Sequence, residues 1–426
     1  MSHPEGLAEL SSRPMLLSID EALAQIGAHV IPLPAEDVAL EHAYGRYIAE
    51  ELRAAIDLPP FASSAMDGYA LRAEDSPGLL TVVGESSAGS PYLGRLSPGE
   101  AVAISTGAVV PAQADSVVPI EDVIVAGEQD FSAGRSPGRG EGAQIELPSP
   151  VALGSFVRDR GSDMERGDLI LKPGSRLGSA QIGAAAAVGL ATVSCHRRPS
   201  VAVLTTGTEL RRPGERLADG QIYDANGPMM TAALLTSGAG VEHIPAAADT
   251  VEAHRAALTQ ALEHDVVISS GGVSVGPHDL VRSVGRELGV SEVFWRIALR
   301  PGKPLAFGVR GSTLVFGLPG NPVSSLVCFE LFVRPALLAL QGAGSVQPDW
   351  SAGVLGAAVQ PQQTRDDLIR VRFESPEGSA VLMPVHGQQS HQIAITAQAD
   401  ALARIPMGSG ELPAGTEVAY LSLVRF

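Results

Sequence analysis

Three apolar runs between Val266 and Val327 each end in a glycine-rich loop: DVVISSGGVSVGPHD, FWRIALRPGKP and STLVFGLPGNPVSS. Two of the three lead directly into a helix. Glycine at a strand end lets backbone N–H groups converge without a side chain between them, and a helix N-terminus adds the positive end of its dipole. Such loops hold oxyanions. In an open α/β sheet, ligands gather at the carboxyl ends of the strands. Here those ends carry Thr206, Gly207, Thr208 and Glu209, then Asp249, then Gly271, Gly272, Ser274, Gly276 and Asp279. Arg300 and Lys303 of RPGKP follow, with Gly320, Asn321 and Ser324 of LPGNPVS. Three carboxylates, two cations and several exposed amides on one edge suit an oxyanion with a hard divalent metal. Carboxylates and phosphate oxygens share Mg²⁺, and lysine and arginine neutralise the remaining charge.

Each residue alone has a plainer reading. Asp279 after Pro277 suits the first turn of a helix, and Asp249 could cap TVEAHRAAL. Asn321 followed by Pro322 is an N-cap and N1 pair, and Glu209 could be a solvated helix-start residue. Asp67, in PPFASSAMDGYALR, fits an Asp-Gly hairpin turn, and Thr106, in AISTGAVVP, an exposed hydroxyl at a strand end. Their grouping on one edge carries the argument for the first set. No GxxxxGK[ST] or GxGxxG occurs, so the common nucleotide fingerprints are absent. All basic residues but two are arginine; Lys172 sits in a plain LILKPGSRL stretch, whereas Lys303 in RPGKP is read as functional.

The elements that must position these groups change character along the chain. LSIDEALAQIGAHV is a helix with a Ser18–Glu21 capping box and a stripe of Ile19, Leu23 and Ile26. From Phe61 to Pro150, short β-type runs separated by Gly, Pro and Ser predict a small β-rich unit. An alanine-rich helix and a strand follow in SAQIGAAAAVGLATV, expected to return onto the N-terminal helix. From Arg198, strands alternate with helices, which predicts a mostly parallel sheet with helices on both faces. The stretch after Gln341 is rich in short strands.

At 426 residues the chain suits about three cores at roughly 150 residues each. Its formal charge of −17 argues against a nucleic-acid backbone reader, although a cleft can be locally cationic. Cys195 and Cys328 have no metal spacing and read as buried thiols in a reducing compartment. SSLVCFELFVRPALLAL, interrupted by Glu330 and Arg334, reads as a buried helix and not a membrane span; with no secretory pattern at the N-terminus, the expected location is the cytoplasm.

The motifs PPFASSAMDGYA, STGA, TTGTEL, DGQIYDANG, ISSGGVSVGPHD, RPGKPLAFG and LPGNPVS, in this order, resemble the molybdopterin molybdenumtransferase family (MoeA and the gephyrin E domain) from about Leu16 onward. The resemblance implies a multidomain α/β plus β protein. Its parts would be a segmented N-terminal domain (1–60 with 150–197), an inserted β-rich domain (61–149), a three-layer α/β molybdopterin-binding domain with a mostly parallel sheet (198–340) and a C-terminal β-barrel domain (341–426). It implies a homodimer whose cleft lies between the α/β domain of one subunit and the inserted domain of the other. Family members take adenylylated molybdopterin and molybdate, cleave the AMP linkage with Mg²⁺ present, and insert molybdenum into the dithiolene. Partners in that pathway would be the adenylyltransferase and acceptor molybdoenzymes.

Carried over by position, Asp67 and Thr106 are similar to the inserted domain's contribution, and Glu209, Asp249 and Asp279 to the acidic set that binds Mg²⁺ or orders water. Arg300 and Lys303 resemble an anion clamp; Gly271, Gly272, Ser274 and Gly276 the substrate loop; Pro319, Asn321, Pro322 and Ser324 the walls of a molybdate pocket, completed by Arg370 and Ser390. Arginine stands at position 300 where the family often has lysine, and SHQIA replaces a serine-rich stretch, which leaves His391 without a role in the pattern. Rival readings are the adenylyltransferase of the same pathway, a nucleotide pyrophosphatase, and a scaffold that keeps the fold but clusters a partner protein.

Overall fold

The computed structural model describes residues 16–126, 138–245, 250–271, 280–344, 346–374 and 380–423. Its centre is a six-stranded sheet ordered Gly240–Pro245, Ser200–Thr205, Val266–Ser270, Thr313–Leu318, Ala306–Arg310, Ser291–Trp295. The first four strands are mutually parallel, and the last two pair antiparallel with their neighbours. Strand alternation divides the side chains between two cores. Val201, Val203, Val266, Ile268, Leu314 and Phe316 face one, with Met230 and Leu234 of helix Asn226–Thr236 and the run Val323–Leu340. Ala202, Leu204, Val267 and Val315 face the other, with helices Val251–Ala261 and Leu280–Glu287. Both faces are covered, which is why these strands read as continuous apolar runs.

The capping box forms as the sequence predicts: Glu21 N donates to Ser18 Oγ at 3.2 Å and Ser18 N to Glu21 Oε2 at 2.8 Å. The helix it starts, Ile19–Gly27, packs elsewhere than expected. Ile19, Ala22, Leu23 and Ile26 belong to the α/β core, and Ala298 N donates to Leu17 O at 2.7 Å. The returning segment instead meets the strand after that helix, Thr192–His196 pairing antiparallel with Ala35–Ala39. Its helix Ser179–Ala187 contributes Ala185 to a separate cluster around Val38, Ile48 and Val193.

Between these segments lies a six-stranded sheet ordered Ser116–Pro119, Gly68–Leu71, Glu100–Ile104, Gly78–Ser86, Gln144–Leu147, Ile124–Ala126. In the C-terminal part, Asp366–Glu374, Val381–Pro384, Ser351–Leu355, Glu417–Ser422 and Ala401–Ile405 pair in turn. Ala401–Ile405 then pairs back onto Asp366–Glu374, closing a five-stranded barrel. The apolar run Pro322–Leu340 is long enough to cross a bilayer, but 89 % of it is buried within the fold. Its interruption is a buried ion pair, Arg334 Nε to Glu330 Oε2 at 2.7 Å, extended by Arg334 to Ser237 Oγ at 2.8 Å. Cys195 and Cys328 are buried and unpaired.

One carboxylate fastens the entry to the central sheet. Asp265 accepts both Nη groups of Arg197 at 2.6 Å, and the backbone N and Oγ of Ser200 at 2.8 and 2.9 Å. Burial alone pushes this carboxyl up, but the Arg197 and Ser200 hydrogen bonds outweigh it and hold it below its ordinary 3.8. The folded state therefore binds its proton less readily than the unfolded chain, so the stabilisation is complete above the ordinary value and fades as pH falls through the depressed one. Asp265→Asn should cost roughly 1–3 kcal/mol at pH 7. In urea unfolding that gap should narrow steadily below about pH 4; a gap independent of pH would show that the clasp is not ionic.

Candidate oxyanion site at the sheet edge

Register sets the floor of the site. Thr205 lies level with Pro245 and Ser270, and Ser270 with Leu318, so four parallel strands stop together. The chain continues as loops within backbone contact of each other. Thr206 N donates to Ser270 O at 3.3 Å and Gly271 N to Leu318 O at 3.1 Å. Gly271 has φ +96°, and a Cβ there would lie 3.1 Å from Thr206 O. Asn226 closes the cluster, its Nδ2 donating to Ser270 Oγ and to Gly320 O, both at 2.7 Å. Its Oδ1 is buried and, among the described residues, has no hydrogen-bond partner. Asn226 was not singled out from the sequence, although DGQIYDANG was noted as a motif. The reason for that motif is now visible. Buried Asp224 accepts Gly227 N at 2.9 Å, and a Cβ at Gly227 would lie 2.6 Å from Asp224 Oδ2.

Glu209 is exposed in the loop after Thr205, its carboxylate folded back onto Gly207 (φ +147°), where a Cβ would lie 2.6 Å from Oε2. Arg300 and Lys303 reach the same edge by an antiparallel route. Trp295 is level with Ala306 and Ala306 with Gly317, so the segment joining them turns at the carboxyl end of the sheet. Lys303 is exposed, and among the described residues it forms no ion pair. Arg300 belongs to a two-residue strand paired with the barrel, and its Nε lies 2.9 Å from Asp367 Oδ1.

Asn321 occupies the N-cap position of helix Pro322–Cys328, but its side chain does not cap. It donates instead to Ser390 Oγ at 3.1 Å, while Ser390 O accepts Val323 N at 3.2 Å. Pro319 O accepts the hydroxyl of Ser325, and Ser324 is buried. Ser390 thus meets the LPGNPVS loop across the boundary between barrel and sheet. Arg370 requires a correction. It is 1 % exposed, and its guanidinium donates to Gln389 O, Thr396 Oγ1, Gly387 O and Gln388 Oε1 at 2.9–3.2 Å. It therefore holds the loop that presents Ser390 and is not an open anion contact.

Asp67 and Thr106 are both exposed and meet each other, Thr106 N donating to Asp67 Oδ1 at 2.8 Å. Asp67 does not sit in a hairpin turn. It precedes strand Gly68–Leu71, where a Cβ at Gly68 would lie 1.9 Å from Val118 O. Among the described residues no hydrogen bond joins this pair to the edge that carries Glu209 and Lys303. Asp249, Gly272, Ser274, Gly276 and Asp279 lie outside the described residues. Among the rest, no group of three or more acidic, histidine or cysteine side chains assembles for a metal.

Residues 17–189 match the MoeA N-terminal region (domain I and II), 202–339 a probable molybdopterin-binding domain, and 352–423 the MoeA C-terminal region (domain IV). A molybdopterin molybdenumtransferase of Haemophilus influenzae is 33 % identical over 415 residues, covering 95 % of this chain and 98 % of that protein. The chain belongs to the MoeA family. Another relative, molybdopterin molybdenumtransferase 2 of Mycobacterium tuberculosis, is 33 % identical over 396 residues, 89 % of this chain and 93 % of its own. Two solved MoeA structures from Pyrococcus horikoshii superpose with TM-scores of 0.78 and 0.77 at 34 % and 26 % identity. They cover 96 % and 95 % of this chain and 100 % and 99 % of their own. The MoeA architecture is thus shared along most of the chain, barrel included.

The geometry of this MoeA edge depends on Asn226. Asn226→Ala should free Ser270 and Gly320, cost roughly 1–3 kcal/mol, and speed amide exchange in peptides spanning residues 268–271 and 318–323. Unchanged exchange there would mean that other contacts hold the loops.

Proposed function

We propose that this chain inserts molybdenum into molybdopterin. It takes adenylylated molybdopterin and molybdate, hydrolyses the anhydride that carries AMP, and passes the metal to the dithiolene sulfurs of the substrate. What supports this reading is that Arg300 and Lys303, the latter in no ion pair among the described residues, lie in the connection that turns at the carboxyl end of the sheet, where the glycine-bearing strand ends at Gly271 and Gly320 also lie. Molybdate is a tetrahedral dianion that suits amide-lined loops flanked by cations, and a split anhydride likewise needs its developing charge neutralised. Lys303 binds the oxyanion as a point charge, and Arg300 through its fork. The Asn321–Ser390 contact shapes the far wall. The Cys328 thiol donates to Gly302 O at 3.5 Å but is fully buried and pushed by burial toward its protonated form, so molybdenum is held by the sulfurs of its acceptor.

Glu209, exposed and unpaired among the described residues, has the hard oxygen donors that Mg²⁺ prefers, and with Asp249 and Asp279 would hold it. Bound there, the ion would polarise phosphoryl oxygens. Asp67 and Thr106 make their own contact and, among the described residues, no hydrogen bond to this edge, which supports a homodimer in which they face the edge of the second copy. A pure scaffold would have no use for an exposed lysine and an exposed carboxylate, both without an ion pair among the described residues, in loops at the carboxyl end of the sheet, and this favours the enzyme.

The test is incubation with adenylylated molybdopterin, Mg²⁺ and molybdate, reading AMP release and reconstitution of an apo-molybdoenzyme. Lys303→Ala should raise the molybdate needed for half-maximal insertion by about tenfold or more, the scale of one lost charge-assisted hydrogen bond; an unchanged requirement removes Lys303 from the site. Asp279→Ala should abolish AMP release while the dimer persists in gel filtration, and normal release would strike it from the acidic set.

A further inference from the structure

The barrel strand Asp366–Glu374 opens with two adjacent carboxylates that serve different neighbours. Asp366 is bound within the barrel: Arg404 Nε donates to it at 2.9 Å and Met407 N at 3.0 Å. Asp367 turns the other way, to a cation from outside the barrel. Its side chain is 2 % exposed, yet Oδ1 lies 2.9 Å from Arg300 Nε, and Arg300 is 40 % exposed. The backbones are paired at the same point, Leu299 with Asp366 and Arg300 with Asp367, so the separation is fixed by strand register.

The atom in contact is informative. Nε, the inner nitrogen of the guanidinium, makes the 2.9 Å contact, and among the described residues the outer Nη groups form no hydrogen bond. A carboxylate that gripped the Nη fork would consume the surface that recognises oxyanions; one that grips Nε leaves it open. The contact is also off-line, since Oδ1 has no aligned hydrogen bond despite the distance. The pair is therefore held by charge and by the strand register beneath it.

We propose that Asp367 is the positioning residue of Arg300, holding the guanidinium by Nε so that its outer fork faces the oxyanion. This rests on the reading of the edge as an oxyanion site. Burial pushes the Asp367 carboxyl up, against the pull of Arg300 and Arg365, so its charged form depends on keeping those cations close.

The inference separates from simple electrostatics by sign. A carboxylate beside an anion site repels the anion, so its removal alone should tighten binding. If Asp367 positions Arg300, removal should weaken it. Full-length wild type, Asp367→Asn, Asp367→Glu, Arg300→Lys and the Arg300→Lys/Asp367→Asn double variant are compared by molybdate titration calorimetry, by half-saturating molybdate and adenylylated molybdopterin during insertion, and by thermal unfolding. Asp367→Asn should raise half-saturating molybdate about tenfold, within the range of coupled contacting pairs, and leave that for the pterin unchanged. Asp367→Glu should restore part of the loss. Arg300→Lys, which keeps the charge but has no Nε, should match Asp367→Asn, and the double variant should be no worse than either.

Tighter or unchanged molybdate binding in Asp367→Asn overturns the proposal, as do losses that multiply in the double variant. If Asp367→Asn fails to fold, Arg300→Lys decides: an unaltered molybdate requirement overturns the tether. A wild type that binds no molybdate removes the oxyanion reading itself. The tether is then judged by unfolding, where additive effects of the two substitutions refute it.

Discussion

The molecule depends on a crowding constraint at the carboxyl ends of its parallel strands. Four strands stop at one level, and the loops leaving them pass so close that Gly320 and Gly271 are backbone neighbours. Every N–H and C=O there must be paired with another loop or left to a ligand, because burial without a partner costs as much as a lost hydrogen bond. Glycine is needed where a side chain would collide, as at Gly271 beside Thr206. Asn226 is needed because one planar amide can donate to two loops at once. This shared geometry ties the loops to one another at the edge where the oxyanion site is proposed.

Charge then acts locally against the global balance. The chain carries −17 overall, so a distant anion meets a repulsive surface. At the edge, Lys303 forms no ion pair among the described residues, and the Arg300 side chain is partly exposed. The carboxylate that could neutralise Arg300 is buried beneath it and approaches from the inner side. Neutralisation from below differs from neutralisation in front: as proposed, it orients the guanidinium and leaves its outer N–H groups open.

Features governed by neighbours in sequence were legible before the fold. The Ser18–Glu21 capping box and the alternating β–α order are local patterns, and among the described residues each appears at its place, as do the glycines that end strands at Gly271 and Gly320. Features governed by pairing between distant segments were not. Helix Ile19–Gly27 has an apolar stripe that says it is buried but not against what; it joined the α/β core and not the returning segment. Asn321–Pro322 has the local form of a cap, yet Ser390, 69 residues away, takes its side chain. Asp367 gave no signal at all, since one aspartate among 47 acidic residues is distinguished only by what lies over it.

Arg370 shows most clearly how the barrel and the edge act as one unit. A fully buried guanidinium without a carboxylate is costly unless neutral acceptors replace its water. Here Gly387, Gln388, Gln389 and Thr396 supply them, and burial still pulls its pKa down. So many acceptors around one charged group fix the loop 387–390 in a single shape. That loop delivers Ser390 O to Val323 N, the first free amide of the helix after LPGNP, and Ser390 Oγ to Asn321. The same barrel strand that carries Arg370 begins with Asp367 under Arg300. One strand therefore touches both walls of the site, directly at Asp367 and through the Arg370 loop at Ser390, so displacing the barrel would alter both at once.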